Sequence, residues 1–356
     1  MIQPPFTSVQ RSEWKIEKND EEIVSNITPI MGQVVRMIFS CCHSTMHLYQ
    51  PLLVLTTEFF AARTSELDPQ LQAEPRRVFH GRGHMYPGLE HINLDWYPPI
   101  LLISGYSEVT DVAGLAESIL AADPHGQIEG VIHQSRSSQG AAAHCLWGET
   151  KDTFVVTEHG IHYEVQPGVN QNAGLFLDMR PLRRWLLDYS SDKNVLNLFA
   201  YTCSLSVAAL AGGARQVVSV DMSKPSINWG KRNHELNGQD MRRVRSMPHN
   251  LFKSWGRIQK LGGFDTVIID PPTRQRGSFD AERDYVSILK KLHKFLKPGA
   301  DVIATVNSPY LGMDFLPNLM QRYQSKVRLI GEMPASPEFE DRYPERALKI
   351  FHFRGA

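Results

Sequence analysis

The chain has 356 residues, of which 42% are hydrophobic and 21% charged, which is ordinary for a soluble globular protein and enough for two or three domains. Lysine plus arginine and aspartate plus glutamate each total 38, so the composition excludes a strongly basic nucleic-acid-binding domain, although a neutral total is compatible with a local basic face. The four cysteines form no Cys-X-X-Cys pair, and their spacing predicts neither a metal site nor a disulfide framework.

The first residues give no sign of a targeting segment. They lack the basic stretch and apolar core that a signal peptide needs. The most apolar window, residues 47–62, contains Gln50, Pro51 and Glu58 and is too short and polar to span a bilayer. We therefore expect a cytoplasmic protein that does not enter a membrane.

Residues 1–92 form a first zone to which the sequence assigns no fold. Helical patterns are plausible over 21–40 and 51–65. A basic cluster follows, made of Arg76, Arg77, His80, Gly81, Arg82, Gly83 and His84. It predicts either a solvated loop or a patch in which glycines let arginine side chains and backbone N–H groups approach a phosphate.

Residues 93–170 predict a small α+β domain. A strand over 99–105 precedes a helix over 112–122, which Asp111 can cap. Short strands follow around 130–133, 143–147, 153–157 and 161–165.

Residues 171–356 alternate strands and helices, which predicts a mostly parallel sheet. We place strands at 194–199, 216–221, 243–246, 264–270, 300–306, 326–332 and 347–353. Helices are expected at about 180–190, 204–212, 223–237, 281–296 and 313–323. The last strand follows the sixth too closely for a helical crossover, so we expect it to pair antiparallel.

The carboxyl ends of these strands predict a nucleoside pocket. In open α/β sheets, ligands bind beyond the strand ends where the strand order reverses, which here means the loop after Phe199 and the strand end at Asp221. The Asp221 carboxylate could accept both ribose hydroxyls of an adenosine, with Met222 and Ser223 flanking the adenine or ribose. Alternatively, Asp221 only caps the helix that begins near Lys224.

The first loop argues against a dinucleotide cofactor. A nicotinamide site of this layout normally carries Gly-X-Gly-X-X-Gly, because glycine lets the backbone approach a pyrophosphate. Residues 197–206 contain no glycine. S-adenosylmethionine (SAM), which has no phosphate, suits this loop better.

Four segments of the chain carry recognisable motifs. They are Asn172-Ala-Gly-Leu-Phe-Leu-Asp178-Met-Arg180; Asn197-Leu-Phe-Ala-Tyr-Thr202 with 206–214; Val220-Asp-Met-Ser-Lys224 with 233–238; and Asp270-Pro-Pro-Thr273 with 279–292. Together they resemble the bacterial large-subunit (23S) ribosomal RNA methyltransferase family, whose members make 5-methylcytosine or 7-methylguanine. The resemblance covers about residues 95–356 and is closest to the guanine-N7 branch.

The resemblance implies an α/β fold of the class I SAM-dependent methyltransferase type, with a Rossmann-like seven-stranded sheet in residues 171–356. The unassigned region (1–92) and the small α+β domain (93–170) precede it, and we expect the small domain to help hold an RNA substrate across the cleft. SAM is the implied cofactor and RNA, specifically 23S ribosomal RNA, the implied partner. The implied SAM contacts are Phe176, Asp178, Arg180, Asn197, Phe199, Tyr201, Thr202, Asp221, Met222 and Asp270. Ser204, Ser223 and Asn250 are further candidates; Ser204 stands where the family has a glycine, and Asn250 where it has an acid for the adenine amino group.

The motif around Asp270 favours methylation of a nitrogen atom. Methylation at cytosine C5 needs a cysteine thiolate that adds at C6, and neither Pro271-Pro272 nor the strand end near Asn307 has a cysteine. Guanine N7 already has a lone pair, so catalysis is mainly in-line placement with water excluded. Asp270, Pro271, Pro272 and Thr273 would form the catalytic loop. Arg274, Arg276 and Asn307 would contact the target base, with Arg274 able to stack through its guanidinium plane.

Two other functions stay open. Cys203, Ser204, Asn250 and Arg274 are unusual in or beside such a pocket, and would suit a methyltransferase-like RNA- or partner-binding protein without activity. The neutral total charge would suit a methyltransferase of a protein or small molecule. Residues 1–92 could read the substrate or form an oligomerisation element, in which case a homodimer is expected.

Overall fold

The computed structural model describes residues 46–61, 73–137, 140–275 and 279–356. The helix expected over 21–40 and the candidate residue Arg276 lie outside these ranges. None of the helices in the described ranges is both long and apolar enough to cross a membrane.

The strands and helices follow one another along the chain in two groups. The strands are β1 (Arg76–His80), β2 (Ile92–Tyr97), β3 (Ile100–Gly105), β4 (Gly130–Ser137), β5 (Gly140–Gly148), β6 (Phe154–Glu158), β7 (Ile161–Val165), β8 (Asn194–Leu198), β9 (Gln216–Asp221), β10 (Val244–Pro248), β11 (Phe264–Ile269), β12 (Arg274–Gln275), β13 (Phe279–Asp280), β14 (Leu296–Asn307), β15 (Val327–Met333) and β16 (Leu348–Gly355). The α-helices are α1 (Gln50–Ala61), α2 (Val112–Ala121), α3 (Arg180–Tyr189), α4 (Ser204–Ala211), α5 (Lys224–Leu236), α6 (Trp255–Gln259), α7 (Ala281–Leu292) and α8 (Phe315–Tyr323).

The first group forms a five-stranded sheet in the order β1-β2-β3-β4-β5. Strands β3 and β4 are parallel and are joined through α2, whereas the other neighbours are antiparallel. Every residue of β2 and β3 is buried, so the sheet is covered on both faces. Since β1 lies before residue 92, this sheet takes strands from both of the first two predicted ranges, and the division at 92 and 170 stays a prediction.

The second group forms a seven-stranded sheet in the order β10-β9-β8-β11-β14-β16-β15. The first five of these strands are parallel, and β16 is antiparallel to both of its neighbours, which confirms the expectation for the last strand. The strand order reverses beside β8, between β9 and β11. Because parallel strands end at the same edge, the loops after β8, β9, β10 and β11 converge there.

One predicted helix is too long. The helix expected over 281–296 ends at Leu292, and β14 begins already at Leu296. The Phe264 N–H donates to the Phe295 carbonyl at 2.6 Å, and Leu296 pairs with Phe264 in the sheet. Pairing with the neighbouring strand therefore prevails over helix propensity in this segment.

The two sheets share a hydrophobic core. One face of the five-stranded sheet packs on α1 and α2, where the rings of Phe60 and Trp96 lie 5.3 Å apart. The other face contributes Tyr97, Ile100 and Ile132 to a cluster that also contains buried residues of the β6–β7 hairpin, α3 and α4. The same cluster contains Val195, Ile268 and Ile303 of the larger sheet, so the two sheets pack against one core.

A buried ion pair fixes the segment that precedes α3. Arg183 is 0% exposed and Glu158 is 1% exposed. Arg183 Nη2 donates to Glu158 Oε1 at 2.9 Å, its Nε also bonds this carboxylate, and Nη1 donates to the Phe176 carbonyl oxygen at 2.8 Å. The guanidinium of Arg183 thus joins the β6–β7 turn to the backbone at Phe176.

Replacing Arg183 by lysine is expected to lower the free energy of unfolding by about 2 kcal/mol, because an ammonium keeps the charge but cannot make all of these bonds at once. Urea unfolding followed by circular dichroism measures the change. The matched control is Arg215→Lys in the exposed Arg215–Asp192 pair, where we expect a much smaller change. Equal effects of the two substitutions would contradict a structural role for Arg183.

Candidate active site

A cavity of about 550 Å³ lies where the strand-end loops converge. This volume is in the range of sites that enclose a cofactor-sized molecule. Among the candidate residues from the sequence, those that line it are Phe176, Asp178, Phe199, Tyr201, Ser204, Asp221, Met222, Ser223, Asn250, Asp270, Pro271, Pro272, Thr273, Arg274 and Asn307. Segments that are far apart in the chain are therefore brought together by the parallel strand order.

Three candidates do not line the cavity but are buried behind it. Arg180 is paired with a buried glutamate on the side of the five-stranded sheet. The Asn197 amide donates to Ser206 Oγ at 2.9 Å, and the Thr202 hydroxyl donates to the Gly174 carbonyl oxygen at 2.6 Å. Their observed contacts are with the protein itself, so they hold the strand-end loops in place.

Some residues that line this cavity were not predicted from the sequence. His249 and Phe252 flank Asn250 on the loop after β10, and Phe279 reaches the cavity from β13. The Phe279 ring centroid lies 5.1 Å from that of Phe199 and 6.3 Å from that of Phe252. The two neighbours of Asn250 could have been found from their place at a strand end. Phe279 depends on how the hairpin β12–β13 folds back.

Asp221 is positioned to accept hydrogen bonds from a ligand. Its Oδ2 accepts the Tyr201 N–H at 2.9 Å and its Oδ1 accepts the Ser223 N–H at 2.8 Å. No lysine, arginine or histidine among the described residues lies within ion-pair distance of it. Each oxygen of a carboxylate can accept more than one hydrogen bond, so both stay able to accept a ribose hydroxyl. Helix α5 is capped instead by Ser223, whose hydroxyl accepts the Ser226 N–H.

The loop after β8 is strained. Phe199, Tyr201 and Cys203 have φ angles of 62°, 47° and 60°, in the left-handed region that favours glycine. Each such residue costs on the order of 1 kcal/mol, which surrounding packing must offset. The loop therefore adopts backbone angles that are typical of glycine, although it contains no glycine.

The thiol of Cys203 is not placed for catalysis. It is buried beside Ala200 and Ile227 and lines no part of the cavity. Burial raises the pKa of the Cys203 thiol to about 12, so the reactive thiolate is scarce near neutral pH. Cys145 is exposed on β5 and lines neither this cavity nor the one described below. Cys41 and Cys42 lie outside the described residues.

Two carboxyl groups, those of Asp178 and Asp270, line the cavity. Asp270 Oδ1 accepts the Thr305 hydroxyl at 2.6 Å, and burial, assisted by the charge of Asp178, raises the pKa of Asp270 to about 7. Burial also raises the pKa of Asp178, whose Oδ1 has no hydrogen-bond partner among the described residues. A positively charged ligand group would stabilise both ionised carboxylates.

A second cavity, of about 530 Å³, joins the first. The two share Asn172, Phe176, Asp178, Tyr201 and Asn307. The second cavity is otherwise lined by the five-stranded sheet with its loops, by the segment before α3, by Pro309 and by residues of 333–350. A large substrate could therefore approach the first cavity from the side of the smaller sheet.

The basic cluster predicted from the sequence is mostly neutralised. Arg76 pairs with Glu338, and the Arg77 guanidinium makes two hydrogen bonds to Asp95, at 2.8 and 3.1 Å. Burial, together with the charge of Arg77, lowers the pKa of His80 to about 3, so this imidazole is uncharged. Arg82 is the member of the cluster that keeps an exposed guanidinium lining the second cavity.

Comparison with known proteins agrees with this arrangement. Residues 76–354 match the family model described as S-adenosylmethionine-dependent methyltransferase. The chain belongs to this family. The match includes both sheets and every described residue that lines the two cavities.

Relatives of known name support the family at a lower coverage. The chain is 36% identical over 212 residues to ribosomal RNA large subunit methyltransferase K/L of Shewanella sediminis, covering 58% of this chain and 29% of that protein. It is 28% identical over 285 residues to the protein of the same name from Hahella chejuensis, covering 74% and 37%. The chain therefore spans about a third of the length of these relatives.

Solved structures show the same fold. A crystal structure described as a methyltransferase complexed with SAH has 24% identity and a TM-score of 0.73, covering 86% of this chain and 81% of that one. The complex structure of aTrm5 and tRNALeu has 13% identity and a TM-score of 0.52, covering 74% and 72%. The class I methyltransferase fold predicted from the sequence is confirmed.

The residues of the first cavity fit SAM. Asp221 offers two acceptors for the ribose hydroxyls. Asp178 Oδ1 is a buried acceptor without a partner among the described residues, so it can interact with a positively charged group of the ligand. SAM carries both a sulfonium and an ammonium group, which suit the two carboxyls with raised pKa values. Phe199, Phe252 and the half-exposed Met222 supply the apolar part of the lining.

Replacing Asn250 by aspartate is expected to strengthen SAM binding about three- to tenfold, since a carboxylate would accept the adenine amino group in a charge-assisted hydrogen bond. The present Asn250 Oδ1 accepts the Phe252 N–H at 2.9 Å, a bond that aspartate can keep. Calorimetric titration of SAM measures the change. Unchanged or weaker binding would mean that residue 250 does not contact the adenine.

Proposed function

We propose that the protein methylates a base nitrogen of large-subunit ribosomal RNA, such as guanine N7, by direct in-line transfer from SAM. The observation that carries the proposal is that Asp178 and Asn307 line both cavities, which places a second cavity of similar size directly beside a cofactor-sized pocket. The names of the relatives favour ribosomal RNA as that substrate.

The cofactor contacts in this proposal follow from the cavity lining. Asp221 accepts the ribose hydroxyls, Asn250 accepts from the adenine amino group, and Asp178 and Asp270 oppose the positive charge of the methionine portion. Arg180, Asn197 and Thr202 support the loops from behind. Bound SAM supplies an electrophilic methyl group, so the protein needs to orient the nucleophile and exclude water.

The loop after β11 would orient the target base. Pro271 is buried and Pro272 is exposed, and two consecutive prolines restrict the backbone beside Asp270. The Thr273 carbonyl accepts the Ala281 N–H at 3.0 Å, which fixes the far end of the loop. Asp270 and backbone carbonyls of this loop would then accept the N–H groups of the target base.

Arg274 and Asn307 would contact the base itself. The Arg274 side chain is 81% exposed, and its ion pair with Asp280, at 3.7 Å, is long and solvent-accessible. Its guanidinium is therefore available to stack on a base. Asn307 is exposed at the end of β14, where both cavities meet. Its amide can donate to and accept from a base edge.

The absence of a thiol from the cavity lining favours nitrogen over cytosine C5. No cysteine of the described residues lines either cavity. Attack at C5 would require a covalent bond from a thiolate to C6. A ring nitrogen has a lone pair and needs no such intermediate.

The test is transfer of labelled methyl from SAM to large-subunit ribosomal RNA transcribed in vitro, followed by digestion to nucleosides and mass spectrometry. Methyl on a guanine or another base nitrogen, lost in Asp221→Ala, is the expected result. Methyl on cytosine C5, or transfer only to protein or small molecules in a parallel assay, would contradict the proposal. Failure to bind SAM would favour a partner-binding protein without activity.

A further inference from the structure

We infer that Arg82 and Arg136, with Tyr106 beside both, form a binding site for a phosphodiester group of the RNA strand that enters the active site. This inference rests on the proposed function, since it takes RNA as the ligand. All three residues line the second cavity. None of them belongs to the set that lines the cofactor cavity.

The two guanidinium groups are close to one ring. The Arg82 guanidinium carbon lies 4.2 Å from the centroid of the Tyr106 ring, and that of Arg136 lies 5.4 Å from it. Arg136 Nη1 also donates to the Tyr106 hydroxyl at 3.2 Å. Two like charges held beside the same ring repel each other, and an anion between them would relieve this repulsion.

Neither guanidinium has a carboxylate partner in the part of the chain that the structure describes. Within the described ranges, no aspartate or glutamate oxygen lies within 4.0 Å of Arg82 or Arg136. Arg77, in the same cavity, is bonded to Asp95. The cavity also contains Glu90, Asp178 and Asp341, but none of them is paired with the two arginines. Arg82 and Arg136 are thus free to bind an external anion.

The backbone under Arg82 is fixed. Arg82 lies in a single 3₁₀ turn between the buried Gly81 and Gly83. A Cβ atom on Gly83 would lie 2.1 Å from the Glu340 carbonyl oxygen, and one on Gly81 would lie 1.9 Å from a backbone oxygen. The Gly83 carbonyl oxygen accepts the Arg342 N–H at 2.7 Å. The glycines therefore serve close packing of the turn, which leaves the Arg82 side chain as its ligand-facing group.

Arg136 is held by a buried amide. Its Nε donates to Gln134 Oε1 at 2.9 Å. Gln134 is 1% exposed, and its Nε2 donates to the Asn170 carbonyl oxygen at 2.9 Å. This leaves most of the Arg136 N–H groups for a ligand, because guanidinium has five donors. A side chain held in advance loses less entropy when it binds.

Phosphate is the ligand chemistry that suits this arrangement best. Guanidinium groups bind phosphate oxygens in bidentate, charge-assisted hydrogen bonds. One face of the Tyr106 ring is already covered by Arg82, which disfavours stacking of a base there. The cavity joins the cofactor cavity, so a phosphodiester near the target nucleotide reaches the site without a separate entrance.

The experiment compares the double variant R82Q/R136Q with wild type in binding a fluorescently labelled single-stranded RNA, by anisotropy at several salt concentrations. The matched control is R322Q. Arg322 also lies against a tyrosine ring, at 5.6 Å, and no described aspartate or glutamate pairs with it, but it lines neither cavity. Inorganic phosphate and a nucleoside monophosphate are added as competitors, and SAM affinity is measured by calorimetry.

For R82Q/R136Q we expect at least about a tenfold loss of RNA affinity at low salt. The slope of log K against log salt should become shallower by about 0.7, which corresponds to one phosphate contact on a single strand. SAM affinity and the urea midpoint should not change. The R322Q control should leave the slope and the affinity as in wild type.

Three results would overturn the inference. They are wild-type RNA affinity and slope in R82Q/R136Q, the same loss in R322Q, and no RNA binding by the wild-type protein. If inorganic phosphate or the monophosphate competes as strongly as unlabelled RNA does, the site binds a free phosphate compound and not an RNA strand.

If RNA binding behaves as expected but no methyl is transferred to RNA, the proposed function fails while the phosphate site stands. If methyl is transferred but the double variant binds RNA normally, only this inference fails.

Discussion

Asp221→Ala is expected to lower SAM affinity by on the order of 1,000-fold. Two hydrogen bonds from ribose hydroxyls to a carboxylate are lost, each contributing about 1.5 to 3 kcal/mol. The substitution also removes the acceptors of the Tyr201 and Ser223 N–H groups, which hold the loops on either side of the ribose position. Calorimetric titration of SAM and S-adenosylhomocysteine measures the loss for both ligands.

The control for this variant is Asp240→Ala. Asp240 is also an aspartate that accepts a backbone N–H, that of Arg242, but it does not line the cavity. It should leave SAM affinity unchanged. Asp221→Asn keeps one acceptor and should fall between Asp221→Ala and wild type. A wild-type affinity in Asp221→Ala would show that SAM does not use this strand end.

Asp270→Asn is expected to slow methyl transfer by about 100- to 1,000-fold while making the protein more stable above neutral pH. The loss of rate follows from removing a negative charge beside the reacting groups. The gain in stability follows from burial, which makes the ionised carboxylate of Asp270 unfavourable in the folded protein. The asparagine amide oxygen can still accept the Thr305 hydroxyl.

The stability gain has a defined dependence on pH. The pKa of Asp270 is about 7 in the folded protein and near 3.8 in the unfolded chain. At pH values between these two, the folded state therefore binds more protons than the unfolded state. Wild-type stability from this group is therefore lost as pH rises from about 4 through 7. Asp270→Asn lacks that loss. Its advantage should be small near pH 4, grow to roughly 1 to 3 kcal/mol by pH 8, and then level off.

Urea unfolding of both proteins from pH 4 to 8 measures this difference, without ligand. Thr305→Val is a useful companion, since it removes the hydroxyl that stabilises the carboxylate and should raise the pKa further. A constant difference between Asp270→Asn and wild type across the pH range would contradict the raised pKa. Undiminished transfer by Asp270→Asn would remove this residue from the proposed catalytic group.

The fold and most of the cofactor cavity were predictable because they depend on short-range patterns. Buried runs such as β8 and β9 identify parallel strands, and a parallel sheet brings the residues after each strand to one edge. Asp221, Asn250 and Asp270 could be placed in one pocket on that basis. The resemblance to known methyltransferases added the segment before α3, which no strand-end rule would have found.

The remainder depends on contacts between distant parts of the chain. The basic cluster near Arg82 gives no sign that Arg76 and Arg77 are neutralised, because Glu338 lies 262 residues away from Arg76. Similarly, a sequence motif does not distinguish a side chain that lines a cavity from one that supports a loop. Asn197 and Thr202 lie in the segment that carries the first SAM motif. Their side chains, however, make hydrogen bonds within the protein and support the loop instead of lining the cavity.

The separate origins of the two cavities have a consequence for how such a protein can diversify. All residues that line the first cavity lie between 171 and 307, whereas the second adds residues of 77–136 and of 333–350 to those of 172–178, 201 and 307–309, some of which line both cavities. Mutations in the five-stranded sheet can therefore reshape the approach for a new substrate without altering a single group that lines the methyl-donor pocket. The shared core limits this freedom, because Tyr97, Ile100 and Ile132 must still pack against the larger sheet. Selection can then act on substrate choice and on the transfer chemistry almost independently.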